Sequence, residues 1–171
     1  MRRSLNLTSK RANVFTDTFM IVISIIVFAM VAYNGMAIYN DLNADIQGDA
    51  SMGATAKTAS GSLYNKYGAT MDGAFLTIFI LLWVLVIVAS FLIDAHPIFF
   101  MISILLLFFV IYVSAILSNF FGEFIDGADL LAYQSSFPYT NFIIANIVWF
   151  VIGIGASVAI VLYGKVALLN N

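Results

Sequence analysis

"AFLTIFILLWVLVIVASFLIDAHPIFFMISILLLFFVIYVSAILSN", residues 74–119, holds two long apolar runs separated only by Asp94-Ala95-His96. A helix rises about 1.5 Å per residue, so about 20 apolar residues cross the roughly 30 Å hydrocarbon core of a bilayer. Each run meets that length. The connection is so short that it predicts a tight hairpin, with the second and third spans as antiparallel neighbours. Pro97 suits the first turn of a helix, where its missing N–H would be unpaired anyway, and Asp94 is placed to meet the free N–H groups that follow. Asp94, His96 and Pro97 therefore form a candidate hairpin cap.

Outward from this hairpin, two further runs reach spanning length. The expected spans are residues 19–39, 74–93, 97–119 and 141–163. Around them lie a basic tail (1–17), a polar connection (40–73), an interfacial amphipathic connection (120–139) and a C-terminal tail (164–171). Composition agrees: 171 residues are 63% hydrophobic and 9% charged, too little polar surface to coat a water-soluble globule of this size. The fold class is an all-α integral membrane protein, a single domain of four transmembrane helices in an antiparallel up-down bundle.

The charges are segregated. Arg2, Arg3, Lys10 and Arg11 precede the first span, whereas Asp41, Asp45, Asp49, Asp72, Glu123, Asp126 and Asp129 occupy the first and third connections. Basic residues near membrane ends stay on the cytoplasmic side, which gives an N-in/C-in topology with only Lys57 and Lys66 opposite. The same four cations are candidates for contact with anionic headgroups or with a coat protein. A competing reading takes residues 1–37 as a signal peptide cleaved near Gly35-Met36-Ala37, although the apolar run is long for such a segment.

The connection 40–73 is rich in Gly, Ala, Ser, Thr and Asp and cannot build a core of its own; one short helix near "NDLNADI" followed by irregular chain is expected. In "FFGEFIDGADLLAYQSSFPY", apolar residues alternate with three acids, which fits an amphipathic turn or short helix lying along the membrane surface. Tyr33, Tyr39, Phe137 and Tyr139 form aromatic girdles at span ends.

Catalytic and ligand-binding classes find little support. There is no cysteine, and one histidine leaves little for zinc or haem, so no metal and no cofactor is expected. Asp94 and His96 lack a nearby nucleophile or oxyanion-hole loop, so the chain is not expected to be an enzyme or to bind a small-molecule substrate. No nucleic-acid surface is evident. The sequon Asn6-Leu7-Thr8 precedes the first span on the expected cytoplasmic side and is read as coincidental. No Lys, Arg, Asp, Glu or His falls at the centre of a span, which argues against pumps, proton-coupled transporters and voltage sensors.

Small and mildly polar residues recur eleven apart, which brings a helix almost back to the same direction: Ser24 and Gly35, Ser103 and Ser114, Asn146 and Ser157, Gly153 and Gly164. With Ser118 they make candidate helix-packing seams, and Asn146 is placed to hydrogen-bond across helices. The alternative is a pore lined by Ser and Asn in an oligomer.

The order "FLIDAHPIFF", "AILSNFFGEF", "FPYTNFI" and "VLYGK" resembles small polytopic membrane proteins of membrane-containing tailless icosahedral bacteriophages, from the second span to the C-terminus. The resemblance implies a virion structural role in the internal lipid layer, in a membrane pinched from the host so that cytoplasmic ends face the shell. The expected function is a non-enzymatic structural protein of a virion membrane, whose partners are the lipid bilayer and copies of itself or other membrane and capsid proteins. A small channel or holin-like permeabiliser is the alternative, and an enzyme using Asp94 and His96 ranks last.

Overall fold

A computed structural model describes residues 14–92 and 97–169. The described chain is all-helical: α1 (Val14–Gly48), α2 (Ala54–Leu92), α3 (Pro97–Ile125), a 3-10 segment (Leu131–Ser136), α4 (Pro138–Ala145) and α5 (Ile147–Leu169). Four of the helices are long and apolar enough to cross a membrane.

The first connection differs from expectation. Instead of irregular chain, α1 runs on to Gly48 and α2 starts at Ala54, so 40–73 is a helical hairpin closed by a short turn. Two sequence properties make this possible. No proline interrupts it, and glycine and acids cluster at the turn, where Asp49 accepts hydrogen bonds from the Ser51 N–H and hydroxyl, both at 2.7 Å. Those two bonds hold the Asp49 carboxyl below its usual range. The second property is a seam at steps of three and four residues: Met36, Tyr39, Asn43 and Ile46 are covered on α1, and Lys57, Ser60, Tyr64, Tyr67 and Met71 on α2. This is coiled-coil spacing built from Tyr, Ser and Asn rather than from Leu and Val. Tyr39 stacks on Tyr64 and Tyr67 with ring centroids 6.4 and 6.0 Å away. Ser60 donates to Asn43 at 2.8 Å, and Gln47 and Lys57 exchange side-chain-to-carbonyl bonds of 2.8 Å in both directions. Gly35 leaves room for the Tyr67 side chain, because an added Cβ would fall on its hydroxyl.

Within the bundle, Phe19 meets Phe109 and Tyr33 meets Phe121, so α1 and α3 run the same way. Asp72 meets Thr140 and Trp83 meets Phe150, which aligns α2 with α4 and α5. Among the described residues, the main packing partners of α2 are α1 and α5, and those of α3 are likewise α1 and α5. The second and third spans thus face each other across a diagonal rather than as the expected neighbours. A four-residue link allows this: it reaches up to about 17 Å, and the diagonal of a bundle with helices about 10 Å apart is about 14 Å.

The centre of the core is aromatic and aliphatic, with Tyr33, Phe121, Phe137, Ile144, Ile147 and Val151 fully buried. The fourth span is not continuous. It breaks at Asn146, between α4 and α5, where the amide of Asn146 bonds the Phe142 carbonyl at 2.8 Å and Ser118 of α3 donates to the Ile144 carbonyl at 2.8 Å.

Candidate functional site: a polar clasp joining α2, α4 and α1

Pro138 occupies the first turn of α4, and the residue before it, Phe137, has no side-chain group to cap the helix. The N–H groups of Tyr139 and Thr140 are therefore left without an intrahelical partner, and a buried helix start must find acceptors elsewhere. Asp72 of α2 supplies them. Its carboxylate accepts from the Tyr139 N–H at 3.0 Å, the Thr140 N–H at 2.7 Å and the Thr140 hydroxyl at 2.7 Å. Only 2% of Asp72 is exposed, and Thr140 is equally enclosed at 1%. A negative group at the positive end of a helix is favourable, so the arrangement is an N-cap contributed from another helix.

The next residue of α4, Asn141, continues the network. Its Oδ1 accepts from the Tyr33 hydroxyl at 2.6 Å and its Nδ2 donates to the Gln134 carbonyl at 2.9 Å. Gln134 in turn donates to Asp126 at 3.0 Å and to the Ile125 carbonyl at 3.3 Å, tying the 3-10 segment to the end of α3. Phe137 stacks on the Tyr33 ring at 4.4 Å, and Phe121 meets its edge at 5.8 Å. Beside them Gly68 lets α2 approach the 3-10 segment: a Cβ there would sit 2.7 Å from the Ser136 Cβ and 3.1 Å from its carbonyl oxygen. Tyr133 lies nearby; desolvation, then Tyr64, Asp41 and Asp129, push its phenol above the ordinary value of 10.0.

Chemically, this clasp is saturated. Both Asp72 oxygens are engaged by donors of α4, and there is no Cys or His among the described residues. Among the described residues no group of three or more His, Cys, Asp or Glu is placed to hold a metal ion. A small cavity lies deeper, lined by Val22, Phe79, Trp83, Phe150 and Ile154; at about 10 Å³ it offers room for no more than one water, and its walls are apolar. Comparison with protein-family models, with curated proteins and with solved structures finds no match.

The residues singled out from sequence are distributed as follows. Gly35 lies in the α1–α2 contact, Ser118 makes the cross-helix bond to Ile144, and a Cβ added at Gly153 would meet the Trp83 ring at an ordinary 3.8 Å. Ser114 is fully buried and bonds the Val110 carbonyl of its own helix. Ser24 and Ser157 likewise bond the carbonyls of Met20 and Gly153 on their own helices. Asn146 corrects an expectation: at the junction of α4 and α5 its amide turns back to the Phe142 carbonyl instead of bridging to another helix. An added Cβ at Gly164 would meet nothing within 4 Å. Pro97 begins α3. Arg2, Arg3, Lys10, Arg11, Asp94 and His96, with the side chain of Ser103, lie outside the described residues.

Sequence reading missed Asp72, Tyr33, Asn141, Gln134 and the close approach of Gly155 to Leu107, on which a Cβ would fall. One signal was present. A Pro-initiated helix preceded by a phenylalanine is a helix start without a local cap, which calls for an acceptor from elsewhere in the chain.

Proposed function

We propose that the chain is a non-enzymatic structural protein of a lipid bilayer, built to hold a fixed shape there and to contact copies of itself or a coat protein in a virion membrane. The observation that carries this reading is the clasp: the one buried carboxylate among the described residues is spent entirely on locking α4 to α2. A transport or catalytic site would keep such a group open to solvent or substrate.

The clasp also supplies a natural boundary for the bilayer. From Gly73 to Leu92 the apolar part of α2 covers about 30 Å, the thickness of the hydrocarbon core. Asp72 then sits at one membrane surface, level with Tyr33, and the first span shifts toward residues 14–33. Beyond this surface the α1–α2 hairpin stands about 22 Å clear of the lipid. With the N-terminal cations inside, the hairpin and its acids Asp41, Asp45 and Asp49 occupy the opposite side.

Mass spectrometry of purified lipid-containing particles tests the proposal. The protein is expected in many copies per particle, and its absence from particles that retain their lipid overturns the virion assignment.

A further inference from the structure

The outward faces of the spans are not alike. On α2, α3 and α5 they carry bulky side chains suited to acyl chains, such as Leu85, Leu105, Phe108 and Ile160, with Trp149 and Tyr163 flanking α5. On α1 the exposed positions from Met20 to Ile38 form a stripe one residue wide: Met20, Ser24, Val27, Val31, Asn34 and Ile38, in steps of four, three, four, three and four. No aromatic or leucine occurs in it. Two of its six positions are polar.

Strict alternation of three and four is the spacing of a helix that packs along its length on another helix. The residue types fit one partner. Two copies inserted in the same direction, related by a two-fold axis along the membrane normal, present their α1 helices to each other in parallel. In a parallel pair the register places Met20, Val27 and Asn34 on one heptad position and Ser24, Val31 and Ile38 on the other. A single asparagine at such a position fixes register and oligomer state. Asn34 lies beside Tyr33 at the proposed membrane surface: its Nδ2 donates to the Met30 carbonyl at 2.8 Å, which leaves its exposed Oδ1 free to accept from a second copy.

The available area is adequate. Met20, Val27, Val31 and Ile38 are 57%, 52%, 64% and 69% exposed. With Ser24 and Asn34 the stripe presents about 500 Å² per copy, so a pair buries at most about 1,000 Å², the lower edge for a specific contact. The next two positions in the series, Asp41 and Asp45, set the upper limit, since parallel copies would oppose like charges there.

We infer that the chain forms a parallel homodimer through the α1 stripe Met20–Ile38, registered by Asn34 and released above Ile38 by Asp41 and Asp45. This deepens the self-contact in the proposed function and rests on its membrane placement.

The absence of native cysteine makes the test direct. Single-cysteine variants V27C, V31C, N34C and I38C, with L105C, F108C and I160C as controls, are oxidised in phosphatidylcholine vesicles at high lipid-to-protein ratio. Cross-linked dimer at the α1 positions and background at the controls is the expected pattern. Equal cross-linking everywhere, cross-linking only at the controls, or none overturns the proposal. Subunit counting by photobleaching of the labelled chain gives an independent measure: two per spot is expected and one overturns it. N34V is expected to weaken dimerisation about threefold to tenfold. The particle experiment above is separate, so a chain found in virions but monomeric in vesicles defeats the dimer and leaves the scaffold reading in place.

Discussion

Removing the Asp72 carboxylate tests whether the clasp holds the bundle together. In Asp72→Ala the N–H groups of Tyr139 and Thr140 and the Thr140 hydroxyl lose their acceptor together, in a place where Thr140 is 1% exposed. Loss of a helix cap costs about 1–2 kcal/mol, and each buried donor left without a partner adds about 1–3 kcal/mol before relaxation. Since water reaches the Tyr139 side more readily than Thr140, a net loss of about 3–4 kcal/mol is expected. Asp72→Asn keeps the shape and one acceptor oxygen but not the charge that complements the helix end, so about 1–2 kcal/mol is expected. Reversible unfolding in mixed micelles measures both, and hydrogen exchange at Tyr139 and Thr140 localises the effect. A double-mutant cycle with Thr140→Val should show coupling of about 1 kcal/mol or more. If Asp72→Ala unfolds within about 0.5 kcal/mol of wild type and Thr140 remains protected, the capping argument is refuted.

Other expectations follow from single contacts. Tyr33→Phe removes the hydroxyl bonded to Asn141 and should cost about 1 kcal/mol in the same unfolding assay, with the ring stack on Phe137 retained. Gly155→Ala drives a methyl into Leu107 and should cost about 1–3 kcal/mol, and Leu107→Ala in the same chain should recover part of it. Dye-loaded vesicles carrying the protein at high density should stay sealed, because the described core is closed by aromatic and aliphatic side chains; rapid release would favour a channel. Tyr133, raised from 10.0 in the folded state, should ionise at higher pH than free tyrosine in an ultraviolet titration. Its neutral form is the one favoured by folding, so its contribution is complete below pH 10 and disappears as pH rises through the folded-state value.

The apolar runs disclosed the spans because hydrocarbon accepts little else, and a run of twenty such residues has few alternative uses. The hairpin above them was hidden for the converse reason. Its seam is made of Tyr39, Asn43, Ser60 and Tyr64, residues that hydropathy scores as polar, and their three-and-four spacing emerges only when two separate segments are aligned. Asp72 was hidden by its distance in sequence from Thr140: a cap taken from another helix leaves no local motif. Asn146 misled because an asparagine in a span has two ways to satisfy its amide, and the nearer carbonyl, that of Phe142, won over a neighbouring helix. The neighbour relation of the second and third spans was over-read, since a short link fixes where two ends lie and not which sides they present.

In the proposed membrane placement, the uninterrupted passage of α1 and α2 from hydrocarbon into water has a mechanical consequence. With no joint at the surface, the pair acts as a lever whose free arm, ending near Met52, is about two thirds as long as the part anchored in lipid. A sideways load on that tip tilts the embedded ends of both helices instead of being absorbed by a flexible neck, so whatever grips the tip also sets the inclination of the protein in its membrane.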